Sequence, residues 1–310
     1  MGHQPEEDGT PAWLFRGARV RPAHPPLQCS GDNMDIIGTR IRSMSSALVV
    51  SSIIAVLLST SALAQVAPAA AQSKAATTSG MDVATMIAGA EEDGSQSMYY
   101  VEQLARADVV QSVPMLEKKF DRTQDPIDKA HVASVLIQLG DNTGKYWDFL
   151  EQTVKQAINS DAPAVNRYDK QGRTIPGLSP EFERWAKGHN LSPGDAAEEQ
   201  LYRVPGIIIF LGATGDTRAI PLLRKGLLSS SHQIQVFAAM ALAQLQDRNS
   251  VPLIIEACQK APAEVAAGIA QSLVFFDDPE AQRAVDRYIP ADQAKIFRQA
   301  RANGEKPLGK

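Results

Sequence analysis

The chain is predicted to be all-α, a right-handed superhelical solenoid of about five stacked helix pairs beginning near Met81. Three observations predict it. Leu211, Leu242 and Leu273 stand 31 residues apart, and Asp216, Asp247 and Asp278 keep the same step. A fixed period of this size marks a stacked repeat. Ile220-Pro221-Leu222-Leu223 returns as Val251-Pro252-Leu253-Ile254 and is matched earlier by Val113-Pro114-Met115-Leu116. Aromatic residues are few, Ala and Leu abundant, and alternating Val/Ile/Tyr runs scarce, so helix is favoured over strand. One helix pair is too small to bury its apolar face alone. Stacking supplies a continuous core, and the end units act as caps.

From the N-terminus, residues 1–33 are rich in Pro and Gly and lack a hydrophobic period. They are expected to be disordered or not translated. Residues 47–64, ALVVSSIIAVLLSTSALA, follow Arg40 and Arg42 and end in Ala62-Leu63-Ala64. That is the layout of a secretory signal peptide over 34–64, cleaved after Ala64. Its apolar core, Ala47 to Leu58, is short for a span of about 20 residues. An uncleaved anchor is the alternative, and the membrane would then be touched only through this leader. Met34 supplies a conventional n-region and Met44 a shorter one, so translation is expected to begin there rather than at Met1. Residues 65–80 are a small-residue linker that cannot build a core. The repeat domain is expected over 81–303, with a loose tail at 304–310.

Within the domain, helices are expected at Met81–Gly89, at Ser95–Arg106 and from Val113 to about Phe120. Asp125-Pro126 opens a further helix running to Leu139, since Pro in a first turn forfeits no hydrogen bond. There Val132, Val135, Leu136 and Leu139 have the spacing of a buried face. Lys145–Ile158 follows, with Trp147, Leu150, Val154 and Ile158 inward. From Asp141 to Asp216 the step is 75 residues instead of 31, an excess of 44. The excess is placed between the two helices of one repeat as an insertion at about 159–190, with a short helix at Glu181–Lys187. Ser192-Pro193-Gly194-Asp195 has the form of a capping box, and Pro205-Gly206 predicts a kink in the helix leading to Leu211. The pairs Thr217–Leu228 with His232–Gln246, and Ser250–Gln259 with Ala263–Phe276, come next. Glu280–Tyr288 and Asp292–Ala302 close the stack.

Gly215-Asp216-Thr217-Arg218-Ala219-Ile220-Pro221-Leu222-Leu223, followed by Val236-Phe237-Ala238-Ala239-Met240-Ala241-Leu242-Ala243-Gln244-Leu245-Gln246-Asp247, resembles a HEAT repeat. The likeness is to the short bacterial kind named after phycobilisome lyases. It is strong over Gly215–Tyr288 and weak before Gly140. In the family an Arg often follows the valine that starts the second helix; here that position is Phe237. The resemblance implies the fold. Such repeats occur in scaffolds, lyases and base-repair enzymes, so it leaves the activity open.

Charge and motifs narrow the classes. Residues 1–64 hold five basic and five acidic residues, leaving 26 against 30 and a net charge of −4 in the rest. Nucleic-acid binding, which draws on phosphate neutralisation, is not expected. With Cys29 ahead of the leader core, Cys258 has no partner for a disulfide and reads as a small buried hydrophobe. HEAT-fold diiron hydroxylases resemble one another in repeated His-Glu pairs. His131, His189 and His232 are followed here by Val132, Asn190 and Gln233, so that activity is not expected, and His131 and His232 read as surface or capping groups. Glu91-Glu92-Asp93-Gly94 lacks the alternating spacing of a calcium loop. The three turn aspartates, Asp216, Asp247 and Asp278, read as helix N-caps. No G-x-S-x-G elbow occurs, and Gly212-Ala213-Thr214-Gly215, read as a loop, lacks the Lys-Ser/Thr ending of a phosphate cradle. No cofactor and no metal are expected.

The insertion is the informative departure from the period. It carries Arg167, Tyr168, Arg184, Trp185 and His189, types that dominate recognition surfaces. These five are the candidate partner-binding residues. Phe182 and Trp185, three apart, instead fit a role in pinning the insertion to the stack. The favoured reading is a non-enzymatic, periplasmic or secreted scaffold. It would bind a protein or peptide on the concave face of the second helices, with the insertion as an edge. The alternative is an accessory lyase-like factor or other enzyme, with a site formed by the insertion and those helices.

Overall fold

The computed structural model describes residues 81–303 apart from Gly94, Asn142 and Lys170. The leader and its cleavage point, the linker, the tail, Cys29 and the starts at Met34 and Met44 lie outside the described residues. Among the described residues the chain is helical and has no β-strand, only an isolated bridge between Tyr168 and Thr174. No helix among them is long and apolar enough to cross a membrane.

The helices are α1 (Val83–Glu91), α2 (Ser95–Arg106), α3 (Val113–Arg122), α4 (Pro126–Gln138), α5 (Lys145–Ile158), α6 (Pro180–Gly188) and α7 (Pro193–Glu198). They continue as α8 (Val204–Ala213), α9 (Ile220–Gly226), α10 (His232–Gln244), α11 (Val251–Lys260), α12 (Ala263–Ala270), α13 (Pro279–Tyr288) and α14 (Ala291–Ala302). They pair as α1 with α2, α3 with α4, α5 with α8, α9 with α10, α11 with α12 and α13 with α14. This is one pair more than the spacing suggests. Residues 159–203, with α6 and α7, come between α5 and α8. The second helices form a row in which α2 packs on α4, α4 on α8, α8 on α10 and α10 on α12.

Local chemistry explains the repeated joints. Each of α3, α9 and α11 follows a 3₁₀ turn (Val110–Ser112, Thr217–Ala219, Arg248–Ser250) and carries Pro114, Pro221 or Pro252 as its second residue. A first-turn proline needs no hydrogen-bond acceptor and sets φ for the helix. Four second helices end at a left-handed residue: Asp108 (φ 54), Gly140 (φ 95), Gly215 (φ 73) and Gln246 (φ 53). Such a residue turns the chain back towards the next first helix.

The caps refine the aspartate pattern. Asp125 accepts from the Ile127 and Asp128 N–H groups, Asp216 from Arg218, and Asp278 from Glu280 and Ala281. Asp247 does not cap. Its carboxylate is buried and takes Arg224 Nη2 at 2.7 Å and Ser250 Oγ at 2.5 Å. Ser192 also makes no side-chain cap, so the expected capping box is absent. The expected kink is a π-helical turn at Glu199–Arg203, just ahead of Pro205. Pro205 has no N–H, and its ring opposes the carbonyl of Leu201, four residues back; a wider turn accommodates both.

Three clusters form the interior. The largest runs through α4, α5 and α8–α14 and buries Leu211, Leu223, Leu242, Ile254 and Leu273 completely. A second holds Met86, Leu104, Leu116, Phe120 and Leu136. The third, inside the insertion, joins Phe182 and Ala186 to Ala196 and Ala197. Cys258 lies in the first cluster, where burial pushes its thiol up to about 12 and Sγ donates to the Ala266 carbonyl at 3.6 Å. The expected Gly212–Gly215 loop is shorter than read, because Gly212 and Ala213 are the last turn of α8.

Candidate functional site

The insertion begins with a hairpin closed on itself. Asp169 Oδ1 accepts from the N–H groups of Gln171 and Arg173, both at 2.9 Å, and its Oδ2 takes Arg173 Nε at 2.7 Å. These bonds, the Arg173 N–H foremost, hold the Asp169 carboxyl below its usual range. The Ile175 N–H donates to the Arg167 carbonyl at 2.9 Å, and Gly172 takes φ 77 at the tip. The hairpin is seated on the N-terminal ends of the second helices. Asn166 Nδ2 donates to the Ser230 carbonyl, and Asn166 Oδ1 accepts from the His232 N–H, each at 3.0 Å. This satisfies an N–H of the first turn of α10, which has no acceptor within the helix. The Arg167 guanidinium lies 5.3 Å from the Tyr202 ring in the π turn. Tyr168 is half-buried against the main core. At the tip, a Cβ on Gly172 would stand 3.2 Å from the Glu264 carboxylate on α12.

The five candidate residues therefore fall into two groups. Arg167 and Tyr168 belong to the hairpin; Arg184, Trp185 and His189 belong to α6 and its C-terminal end. Ser179 Oγ caps α6 by accepting from the Phe182 N–H at 3.1 Å, and the buried Phe182 ring pins this helix to α7. Trp185 is half-buried, with Nε1 3.3 Å from Asp161 Oδ1 and its ring 4.8 Å from that of His189. Arg184 and His189 are exposed.

A second constellation lies in the row itself, between α2, α4 and α8. Glu102 Oε2 lies 3.1 Å from His131 Nε2, and Glu102 Oε1 takes Arg106 Nε at 3.1 Å. The His131 ring stacks on Phe210, with centroids 4.6 Å apart and planes 9° apart. Burial pushes the Glu102 carboxyl up. The His131 hydrogen bond and the charges of His131 and Arg106 more than reverse this and hold it at about 2. At the N-cap of α4 Asp125 pairs with Arg203, whose Nε lies 3.1 Å from Glu199. The carboxylate of Asp128, on the same face of α4 as His131, has neither a hydrogen bond nor a close ion pair among the described residues. Burial, then the nearby Asp125, raise its pKa. A cavity of about 300 Å³ opens beside it, lined also by Asp93, Ser97, Lys119 and Arg122. Lys119 is buried, which lowers its pKa, and its Nζ donates to the Glu92 carbonyl at 2.7 Å. This arrangement can receive charged groups. Among the described residues no three His, Cys, Asp or Glu side chains are grouped to hold a metal.

Two expectations are corrected here. His131 is not a surface group: it is locked between Glu102 and Phe210. His232 starts α10 half-buried, with Nδ1 buried and without a hydrogen-bond partner among the described residues, and with a pKa lowered by burial. Sequence reasoning missed Asn166, Tyr202, Glu102, Asp128 and Arg203. The i, i+3 spacing of Asp128 and His131 was the one usable signal, since it puts both on one helix face.

Residues 234–260 match the PBS lyase HEAT-like repeat family. The chain resembles HEAT-like repeat proteins. The matched stretch runs from the third residue of α10 to the end of α11, about one repeat. No curated protein and no solved structure matches the chain. The match establishes the kind of repeat and carries no activity with it.

Proposed function

We propose that the chain is an exported, non-enzymatic scaffold whose second helices line the concave face of a right-handed superhelix and bind a protein or peptide there. The observation that carries this reading is the continuous row α2–α4–α8–α10–α12 with an extended hairpin already seated along its rim. Export rests on the leader at residues 34–64, with the mature chain beginning at Gln65 in the periplasm or outside the cell. Exposed Arg184 and His189, beside the half-buried Trp185, give the insertion a recognition edge. The alternative, an accessory lyase-like factor or other enzyme, needs Arg167, Tyr168, Arg184 and His189 to converge in one cleft. Their division between the hairpin and α6 lends it no support.

Crosslinking the mature chain in its native cell, then identifying what is attached, tests the scaffold reading. A specific protein partner is expected, with capture weakened in Arg184→Ala/His189→Ala and in a deletion of residues 159–190. Failure to capture any specific partner would sink the scaffold. An unchanged partner set in both variants would remove the insertion from the binding surface.

A further inference from the structure

The hairpin at 166–175 is held to the helix row by few ties. The bonds that close its turn lie within the segment, through Asp169, Arg173, Arg167 and Ile175. Its described ties to the stack are the two hydrogen bonds of the Asn166 amide, the Arg167–Tyr202 stacking, the half-buried Tyr168 ring and the approach of Gly172 to Glu264. Asn166 and Tyr168 are two apart in an extended stretch, so both can face the helices while Arg167 turns to the side. The surface beneath offers a carbonyl at Ser230, a helix-end N–H at His232 and an apolar seat for an aromatic ring. These groups recognise an extended chain by its backbone-like amide chemistry and one aromatic anchor. A segment that carries its own turn can leave as a unit without losing internal bonds.

We propose that the N-terminal rim of α10 and α12 is a binding surface for an extended peptide, and that the 166–175 hairpin occupies it in cis as a displaceable strap. The partner it fits carries an amide side chain followed two positions later by an aromatic. The amide takes the place of Asn166, donating to the Ser230 carbonyl and accepting from the His232 N–H, and the aromatic takes the seat of Tyr168. This names the partner class for the scaffold reading and rests on it only for biological use. The assay below employs the chain's own segment, so its failure leaves the crosslinking result standing.

The probe is a labelled synthetic peptide of residues 163–177. The proteins are the intact chain, the intact Asn166→Ala/Tyr168→Ala variant, and a trimmed chain in which a Gly-Ser linker of equal length replaces 163–177. The trimmed chain should bind the peptide, and the intact chain should bind it about 100-fold more weakly, because a tethered strap competes at millimolar effective concentration. A peptide with both alanines should lose about tenfold or more, from two hydrogen bonds and a half-buried ring. The intact double variant should regain binding of the unmodified peptide. A trimmed chain that is folded by circular dichroism and does not bind overturns the proposal. So does an intact double variant that excludes the peptide as well as the wild type does, and this comparison decides alone if trimming prevents folding.

Discussion

The row of second helices is built in two ways, and α8 is where they meet. Towards α10 and α12 it is close. A Cβ on Gly212 would stand 2.7 Å from the Ala241 Cα, and one on Gly268 would stand 3.3 Å from Val236. Towards α4 and α2 it is polar, with Phe210 stacked on His131 and His131 bound to Glu102. Close approach demands small residues where the helices meet, and glycine is the residue at both contacts. A charged seam is satisfied by one particular set of partners and need not recur. The same helix pair can thus carry a generic joint on one side and an individual one on the other.

The largest effect should come from breaking the individual joint. Glu102→Gln is expected to cost about 3 kcal/mol at pH 7, from the free energy attached to a carboxyl held well below its ordinary pKa. The folded-state pKa of Glu102 is depressed, so the stabilisation is complete above its unfolded value of 4.5, fades as pH falls towards about 2 and is gone below that. Denaturant unfolding across this range should show the gap between wild type and variant closing; a constant gap would mean that the carboxylate charge is not the source. His131→Ala should also destabilise at pH 7, and it removes the Phe210 stack as well.

The generic joint should break by crowding. Gly212→Ala is expected to cost about 2 kcal/mol despite the better helix propensity of alanine, because backbone atoms at Ala241 must move. Gly268→Ala presses only on a Val236 methyl. Its net change should lie within about 0.5 kcal/mol of zero, since propensity offsets the contact. Equal losses at the two sites would contradict the close-approach account, and thermal or urea midpoints distinguish them.

The smallest effects separate the turns. Asp108 holds φ 54 where Gly140 and Gly215 occupy the corresponding turns. Asp108→Gly should stabilise by about 0.5 kcal/mol, the steric relief exceeding the added freedom of the unfolded chain. Gly215→Ala should cost about 1 kcal/mol by the same argument reversed. Opposite signs in paired unfolding curves are the expected result.

Much of the frame was legible before any coordinate. Helices read at Ser95–Arg106 and Lys145–Ile158 have those bounds in the structure, because an apolar stripe and clear stops define them locally. Leu211, Leu242 and Leu273, picked by spacing, are all fully buried. Asp247 shows the limit of pattern. It stands in register with Asp216 and Asp278, yet Arg224, 23 residues earlier, draws it away from capping. His131 fails for a similar reason, since its partners lie 29 residues before it on Glu102 and far downstream on Phe210. The insertion was placed by counting, but nothing in Asn166 announced that its amide would bridge Ser230 and His232.

The sequence by itself determined the all-α class, the stacked-repeat period and the position of the break in that period. Each follows from interactions within a few residues, or from the recurrence of one local solution. Tertiary structure alone decided which charges meet in the α2–α4–α8 seam, which face of α8 makes the close approach, and where the 166–175 hairpin rests. Those outcomes depend on helix positions set jointly by the whole stack, and on partners whose separation along the chain follows no rule.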